Sequence, residues 1–343
     1  MTDLPLRTIL VGDARERLAE LPAASIDCVI TSPPYFRLRD YQVEGQIGLE
    51  PSITAWVDEL CLVLRGVARV LKPTGTVWLN LGDSYSRGVR YGAPAKSLLL
   101  GPERLVLGLS QDGWIVRNQV VWAKTNTLPT SVRDRLACTH ETIYFLTRNQ
   151  RYAFDLDAIR EPHGSALRRR ARAGRIRRPV VPRGRPSWAG PLAGSNSGLA
   201  RLKASGQVGH PLGKNPGDVW TTAASNFRGA HFATFPPSLI VRPLLAGCPE
   251  RVCSSCSQPW RRQPARQVDG HYARGELVVG CPCQADFRPG VVLDPFMGAG
   301  TVALVAEQHH RHWLGIELNP AFAQLAVKRI ETAQSAGGYG HGV

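Results

Sequence analysis

Apolar and polar residues follow a regular pattern along the first 150 positions of the chain. Short apolar runs predict strands, whereas apolar residues spaced three and four apart predict helices. The predicted strands cover residues 8–11, 26–30, 76–81, 115–122 and 142–146. The predicted helices cover residues 14–21 and 53–71, and Ser52 is suited to cap the second one. Strands and helices in alternation favour the α/β class, with a mainly parallel sheet covered on both faces.

This pattern stops near residue 160 and is replaced by a segment without acidic residues. From Pro162 to Gly217 there is no Asp or Glu, and Gly, Pro and Ser are frequent. Its basic residues are Arg168, Arg169, Arg170, Arg172, Arg175, Arg177, Arg178, Arg183, Arg185, Arg201, Lys203 and Lys214. Such a segment is either a flexible solvated linker or a surface that contacts phosphates. The net charge of +15 favours phosphate contacts, because it indicates a polyanionic partner.

Regular structure is predicted again from Pro236 onwards. A strand at 291–293, a glycine-containing turn at 294–300, a helix at 301–309, a strand at 313–316 and a helix at 320–332 follow one another. We therefore predict a first part at 1–160, a basic region at 161–217 and a second part at 218–335, which carries a Cys-rich insertion at 248–284.

The turn after the strand at 291–293 has the chemistry of a ligand site. Gly298 and Gly300 allow the backbone to pass close to a ligand, and the following helix offers free N–H groups to a carboxylate. Glu317 ends the next strand, where an acidic side chain can bind two ribose hydroxyls.

A second candidate site follows the strand at 26–30. Thr31-Ser32-Pro33-Pro34-Tyr35 contains two adjacent prolines, which continue neither a helix nor a central strand. A simple strand-ending turn would explain the prolines but not the Ser and Tyr beside them. We expect a rigid loop at the carboxyl edge of the sheet, where ligands bind in such folds.

Ser32-Pro33-Pro34-Tyr35 together with the segment Asp294 to Thr301 resembles the amino-methylating DNA methyltransferases. The catalytic motif precedes the cofactor motif, an order that resembles the β group of this family. The resemblance covers most of residues 5–160 and 218–332. It implies a Rossmann-like fold that uses S-adenosyl-L-methionine, with a permuted motif order and a basic target-recognition insertion. The partner it implies is double-stranded DNA, and the basic region occupies the position of the family's recognition regions.

The resemblance also assigns roles to residues. It implies cofactor contacts by Asp13, Ala14, Thr31, Phe235, Pro236, Asp294, Pro295, Phe296, Gly298, Gly300, Thr301, Glu317 and Leu318. It implies that Ser32, Pro33, Pro34 and Tyr35 act on the base, with Ser32 Oγ and the Pro33 carbonyl as acceptors for its amine. Candidate DNA contacts are Arg168, Arg169, Arg170, Lys124 and Asn126.

The expected reaction is direct transfer of a methyl group to an exocyclic amine of a base that has left the duplex. Ser32 favours N4 of cytosine, because the family's cytosine enzymes mostly carry Ser there; the alternative is N6 of adenine. No Cys follows the Pro-Pro pair as a nucleophile, which argues against carbon-5 methylation. Two further alternatives are a catalytically dead DNA-binding protein and methylation of RNA or of a protein side chain.

Cys253, Cys256, Cys281 and Cys283 form two close pairs, which predict a structural zinc site. The alternative is two unrelated pairs of reduced thiols. Because the second pair is C-x-C, Cys248 and His271 are substitute ligands. No apolar run is long enough for a membrane helix and the first residues lack a signal-peptide pattern, so we expect a cytoplasmic protein. The sequence leaves open a homodimer and a paired restriction enzyme.

Overall fold

A computed structural model of the chain describes residues 4–127, 129–163, 209–224 and 235–336. The chain divides into two compact units. The first comprises Met1–Asp155, Gly217–Arg261 and Leu277–Val343, and the second comprises Leu156–Pro216 and Arg262–Glu276. The boundaries that we predict at residues 160 and 217 stay predictions.

The strands are β1 (Thr8–Val11), β2 (Ile26–Thr31), β3 (Leu71–Leu81), β4 (Ile115–Lys124), β5 (His140–Thr147), β6 (Val219–Thr222), β7 (Val252–Cys253), β8 (Arg261–Arg262), β9 (Arg266–Val268), β10 (His271–Ala273), β11 (Leu277–Val278), β12 (Phe287–Arg288), β13 (Val291–Asp294) and β14 (His312–Glu317). The helices are α1 (Ala14–Glu20), α2 (Ile53–Val70), α3 (Gly101–Gln111), α4 (Pro237–Gly247), α5 (Thr301–Gln308) and α6 (Pro320–Ala336). Two short 3₁₀ helices lie at Val89–Tyr91 and Leu156–Ala158.

Eight strands of the first unit form one sheet in the order β1-β14-β13-β2-β3-β5-β4-β6. All neighbouring pairs are parallel except the two that β5 makes with β3 and β4, so β5 alone runs against the others in this sheet. The mainly parallel α/β sheet predicted from the sequence is therefore confirmed. Every residue of β2 and β13 is buried, as expected for central strands covered on both faces.

Helix α2 shows how the sequence builds the core on one side of this sheet. Ser52 caps its start, with Oγ accepting a hydrogen bond from the Ala55 N–H at 3.2 Å, as predicted. Apolar residues at spacings of three and four, among them Trp56, Leu60 and Val67, are buried. This periodic face packs into a hydrophobic core cluster together with side chains of β2, β3 and β13.

The sheet order brings together two segments that are far apart in sequence. Strands β2 and β13 are neighbours, with Cys28 opposite Val292 and Val29 opposite Leu293. The loop after β2 and the turn after β13 therefore leave the same edge of the sheet side by side.

In the second unit, the described residues are 156–163, 209–216 and 262–276. Glu161 and Lys214 exchange backbone hydrogen bonds at 3.0 and 2.8 Å and form an ion pair at 3.1 Å. Strands β9 and β10 pair antiparallel through a turn at Asp269 and Gly270, both with positive φ, the conformation that favours Gly in two-residue hairpin turns.

Among the helices of the described ranges, none combines the length and the apolarity needed to span a bilayer.

Candidate functional site

The loop after β2, residues 32–35, is anchored to the hydrophobic core. The buried Trp56 of α2 donates from Nε1 to the Pro34 carbonyl at 2.9 Å. No backbone hydrogen bond in the described loops and turns involves the Pro33 carbonyl oxygen. One carbonyl of the loop is therefore fixed to the core, and the role of the Pro33 carbonyl as an acceptor stays a prediction.

The turn after β13 begins at Asp294, which is 1% exposed. Its Oδ1 accepts hydrogen bonds from Thr31 Oγ1 at 2.7 Å and from the Phe296 N–H at 3.0 Å. Thr31 therefore ties the loop after β2 to the turn after β13. Burial raises the pKa of Asp294 to about 7, and these two hydrogen bonds oppose the rise.

Glu317 closes the turn from the end of β14. Its Oε2 accepts from the Gly298 N–H at 2.7 Å and its Oε1 from the Asn319 N–H at 2.9 Å. Burial raises its pKa as well. Gly298 and Gly300 have φ values of +52° and +75°, which explains glycine at both positions. The Gly298 N–H is thus bound to Glu317 in this structure.

The predicted residues line two cavities that share part of their walls. The larger, of about 250 Å³, is lined by residues of both segments, namely Ser32, Pro33, Tyr35, Phe235, Asp294, Gly298 and Thr301. The smaller, of about 60 Å³, is lined by Asp13, Ala14, Pro295 and Leu318. Pro34, Tyr41, Phe296 and Glu317 line both. Thr31, Pro236 and Gly300 line neither cavity; they lie in the supporting structure behind the walls.

A carboxylate that the sequence did not single out, Glu141 of β5, organises the wall opposite the turn. Tyr35 donates from its hydroxyl to Glu141 Oε2 at 2.7 Å, and Asn80 Nδ2 donates to the same oxygen at 2.8 Å. Lys124 forms an ion pair with Glu141 Oε1. Ser32 Oγ lies 3.1 Å from the Tyr35 hydroxyl. The result is a connected polar group, Ser32–Tyr35–Glu141 with Asn80 and Lys124, on the wall of the larger cavity.

Two details of this group depend on local geometry. A side chain at Gly82 would place its Cβ 2.7 Å from the Tyr35 ring, so glycine after β3 leaves room for the ring. The pKa of Tyr35 is raised well above its usual value, first by burial and then by Glu141, so its hydroxyl keeps its proton.

The predicted DNA contacts are placed differently from one another. Lys124 faces the larger cavity and also lies 4.7 Å from the centre of the Trp122 ring. Asn126 exchanges hydrogen bonds with the Ala224 backbone, at 2.6 and 3.2 Å. Arg168, Arg169 and Arg170 lie outside the described residues.

Sequence reasoning also missed a cation at the start of α5. Arg329 of α6 donates from Nη1 to the Ala299 carbonyl and to Thr301 Oγ1, both at 2.9 Å. Ala299 and Thr301 line the larger cavity and Arg329 does not, so its positive charge lies behind the cavity wall at the N-terminus of α5. No sequence signal distinguishes Arg329 from the other charged residues of α6.

Comparison with known families places residues 26–328 in a family described as DNA methylase, of the N6/N4 methyltransferase type. Type II methyltransferase M.Cfr9I of Citrobacter freundii is 32% identical over 346 residues, which are 94% of this chain and 87% of that protein. Type II methyltransferase M.SmaI of Serratia marcescens is 32% identical over 344 residues, 94% of this chain and 90% of that protein.

Solved structures show the same fold. TTHA0409 of Thermus thermophilus, complexed with S-adenosyl-L-methionine, superposes with a TM-score of 0.52 at 24% identity, covering 95% of each chain. The cytosine-N4-specific PvuII DNA methyltransferase superposes with a TM-score of 0.54 at 17% identity, covering 95% of this chain and 90% of that one. The predicted Rossmann-like fold of S-adenosylmethionine-dependent methyltransferases is confirmed, and by sequence the chain belongs to the N6/N4 DNA methylase family.

Proposed function

We propose that this DNA methyltransferase transfers a methyl group from S-adenosyl-L-methionine to N4 of cytosine in double-stranded DNA. The observation that carries the proposal is the shared cavity. Ser32 and Tyr35, which suit a base amine, line the same space as Asp294 and Gly298, which suit the cofactor. A base and a methyl donor bound there would lie next to each other, the condition for direct transfer.

The cavity walls fit the cofactor's chemistry on three sides. Glu317 uses each carboxylate oxygen for one backbone N–H, and each oxygen keeps a lone pair for a ribose hydroxyl. Arg329 and the N-terminus of α5 offer positive charge to a carboxylate. Tyr41 and Phe296 are shared by both cavities, and their rings suit an adenine. We assign Asp13 to the adenine end, as the family resemblance implies, and add Ala14 and Leu318 because they line the same smaller cavity.

When bound, the cofactor supplies an electrophilic methyl group on a sulfonium. The lone pair of the cytosine amine is conjugated into the ring, so the amine by itself is a weak nucleophile. Ser32 Oγ and the Pro33 carbonyl would accept hydrogen bonds from its two N–H groups. These hydrogen bonds would favour a pyramidal nitrogen with a free lone pair. Asn80 supports these acceptors from behind, since its Nδ2 donates to Ser32 Oγ at 3.3 Å and to the Tyr35 hydroxyl at 2.8 Å.

The nitrogen that gains a methyl group must then lose a proton. The hydrogen-bonded series from Ser32 Oγ through the Tyr35 hydroxyl to Glu141 leads away from the reacting atom, with steps of 3.1 and 2.7 Å. The proton would leave to Ser32 while the Ser32 proton passes to Tyr35 and the Tyr35 proton to Glu141. Lys124 balances the charge of Glu141 before that transfer.

Ser32 supports cytosine over adenine, since the family's cytosine enzymes mostly carry Ser at this position. A similar structure, PvuII DNA methyltransferase, is named as cytosine-N4-specific. N6 of adenine is the second candidate, because the same acceptors would serve its amine. For DNA binding, we propose phosphate contacts through Arg168, Arg169 and Arg170 and contacts near the target base through Lys124 and Asn126.

Nucleoside mass spectrometry of DNA treated with purified protein and cofactor tests the product directly. We expect 4-methylcytosine in wild-type reactions and at least about a hundredfold lower turnover in Ser32→Ala, with cofactor affinity within about twofold of wild type. Ser25→Ala, at the opposite end of β2, is the matched control and should keep full turnover. A product that is only N6-methyladenine overturns the base assignment, and a complete lack of methylated nucleosides supports the catalytically dead alternative.

A further inference from the structure

The Cys-rich insertion brings four thiols to one point. Cys253 ends β7 and Cys256 follows it three residues later, while Cys281 and Cys283 precede β12, which pairs antiparallel with β7. The four sulfur atoms all lie within 4.8 Å of one another. Chain segments separated by residues 257–280 thus converge on one small volume, and none of the four is in a disulfide.

The spacing of these sulfurs suits a tetrahedral metal. Four thiolates at about 2.3 Å from a zinc ion lie about 3.8 Å from one another. A disulfide instead requires two sulfurs at about 2.05 Å and leaves the other pair to form a second bridge. Because every distance between two of the four sulfurs is at most 4.8 Å, the thiols form one group of four and not two separate pairs.

Backbone N–H groups donate to one sulfur of each pair. The N–H groups of Ser255 and Cys256 donate to the Cys253 sulfur, and the N–H of Cys283 donates to the Cys281 sulfur. Backbone donors to a metal-bound sulfur are part of the outer shell that orients the ligand in such sites. The C-x-C spacing of the second pair therefore does not prevent the arrangement that the first pair makes.

We propose that Cys253, Cys256, Cys281 and Cys283 bind one zinc ion per chain as a closed tetrathiolate site. All four ligands come from the protein, so the site has no open position for a substrate and is structural. The group of four contains neither Cys248 nor His271. Cys248 is instead buried beside Cys28.

The residues next to the four thiols indicate which part of the chain the metal would stabilise. Beside the thiols, Trp260 packs edge-to-face on Phe287 with ring centres 5.2 Å apart, and the Arg251 guanidinium stacks on both rings. This is a very small apolar group, and small units of this kind commonly need a metal or disulfide in addition. The site would fix the start and end of the insertion, shortly before β13 and its Asp294.

The test uses the full chain, purified without added metal, and reads metal content by inductively coupled plasma mass spectrometry. We expect one zinc per chain in wild type and in Cys138→Ser, an exposed thiol outside the group, and a large loss in Cys256→Ser/Cys283→Ser. Replacement by Co²⁺ should give the absorption of a tetrahedral thiolate complex. These readouts do not involve methyl transfer, so they are independent of the proposed activity.

Thiol titration of the native wild-type chain keeps the proposal testable if the double variant fails to fold. We expect Cys138 to react at once and the four clustered thiols to react only after a chelator is added. Zinc near zero in wild type, with the four thiols freely reactive or joined as two disulfides by mass spectrometry, would overturn the site.

Discussion

The two walls of the larger cavity differ in whether their carboxylates are paired with a cation. On the wall after β13, Asp294 and Glu317 accept hydrogen bonds from neutral donors, and neither takes part in an ion pair within the described ranges. Burial raises the pKa of both. On the wall formed by β4 and β5, Glu141 is paired with Lys124 and holds Tyr35 and Asn80.

This difference indicates which wall is suited to a positively charged ligand. A buried carboxylate without a counterion is costly to ionise, and a ligand that carries positive charge relieves that cost. The proposed cofactor carries a sulfonium and an ammonium, so it suits the wall whose acids lack a counterion. The neutralised wall suits an uncharged base. We therefore expect a substitution in one wall to have little effect on the affinity for the ligand of the other wall.

We expect the strongest loss of ligand affinity from a change in the wall after β13, which carries Asp294 and Glu317. Gly298→Val should weaken binding of S-adenosyl-L-methionine more than about a hundredfold, because a branched residue at φ +52° strains the turn and disturbs the N–H bond to Glu317. Isothermal titration calorimetry measures this, and DNA binding in a gel-shift assay should stay at the wild-type level. Gly113→Val is the control, since Gly113 has φ +85° and only the Arg148 side chain, at 4.0 Å, near an added Cβ. Unchanged cofactor affinity in Gly298→Val would contradict the assignment of this turn.

An intermediate effect is expected on the other wall. Glu141→Gln keeps an acceptor for Tyr35 and Asn80 but removes the charge that pairs with Lys124, so kcat should fall roughly 10- to 100-fold. Cofactor affinity should stay close to the wild-type value. Glu103→Gln is a matched control, because Glu103 also accepts from a tyrosine, Tyr144, and does not line the cavity. Loss of cofactor binding in Glu141→Gln would show that the two walls are not independent.

The smallest effect concerns stability and pH. The raised pKa of Asp294 means that the folded chain binds more protons than the unfolded chain between about pH 4 and about pH 7, so its contribution to stability falls as pH rises through that window. Asp294→Asn should flatten that part of the pH profile of the unfolding free energy, measured by denaturant titration without cofactor. The same substitution at the exposed Asp218 should leave the profile as in wild type. A profile that Asp294→Asn leaves unchanged would mean that the carboxyl is ionised throughout.

The parts of the molecule with a strong local pattern were predictable. The strands at both motifs, the cap at Ser52 and the glycine turn follow from periodicity, capping and φ requirements that act within a few residues. The reversed direction of β5 was not predictable, because an apolar run looks the same in a parallel and an antiparallel strand.

Glu141 and Arg329 were missed for a related reason. Glu141 is one polar residue before a buried run, and its partners Tyr35, Asn80 and Lys124 come from three other chain segments. Arg329 is one of several charged residues on α6. Neither has a sequence neighbour that marks it, so only the tertiary arrangement identifies them.

The sheet order also bears on how the chain matures during synthesis. Strands β1 and β2 are consecutive in sequence, but β14 and β13 lie between them, and β14 is the only partner of β1 within the described sheet. At about 5–20 residues per second, a ribosome needs roughly 15–60 s to add the roughly 300 residues that separate β1 from β14. The nascent N-terminal strand must wait unpaired for that time. Because β13 arrives in the same interval, the docking of β1 and the joining of Asp294 to Thr31 belong to one late event, before which the growing chain has no complete methylating centre.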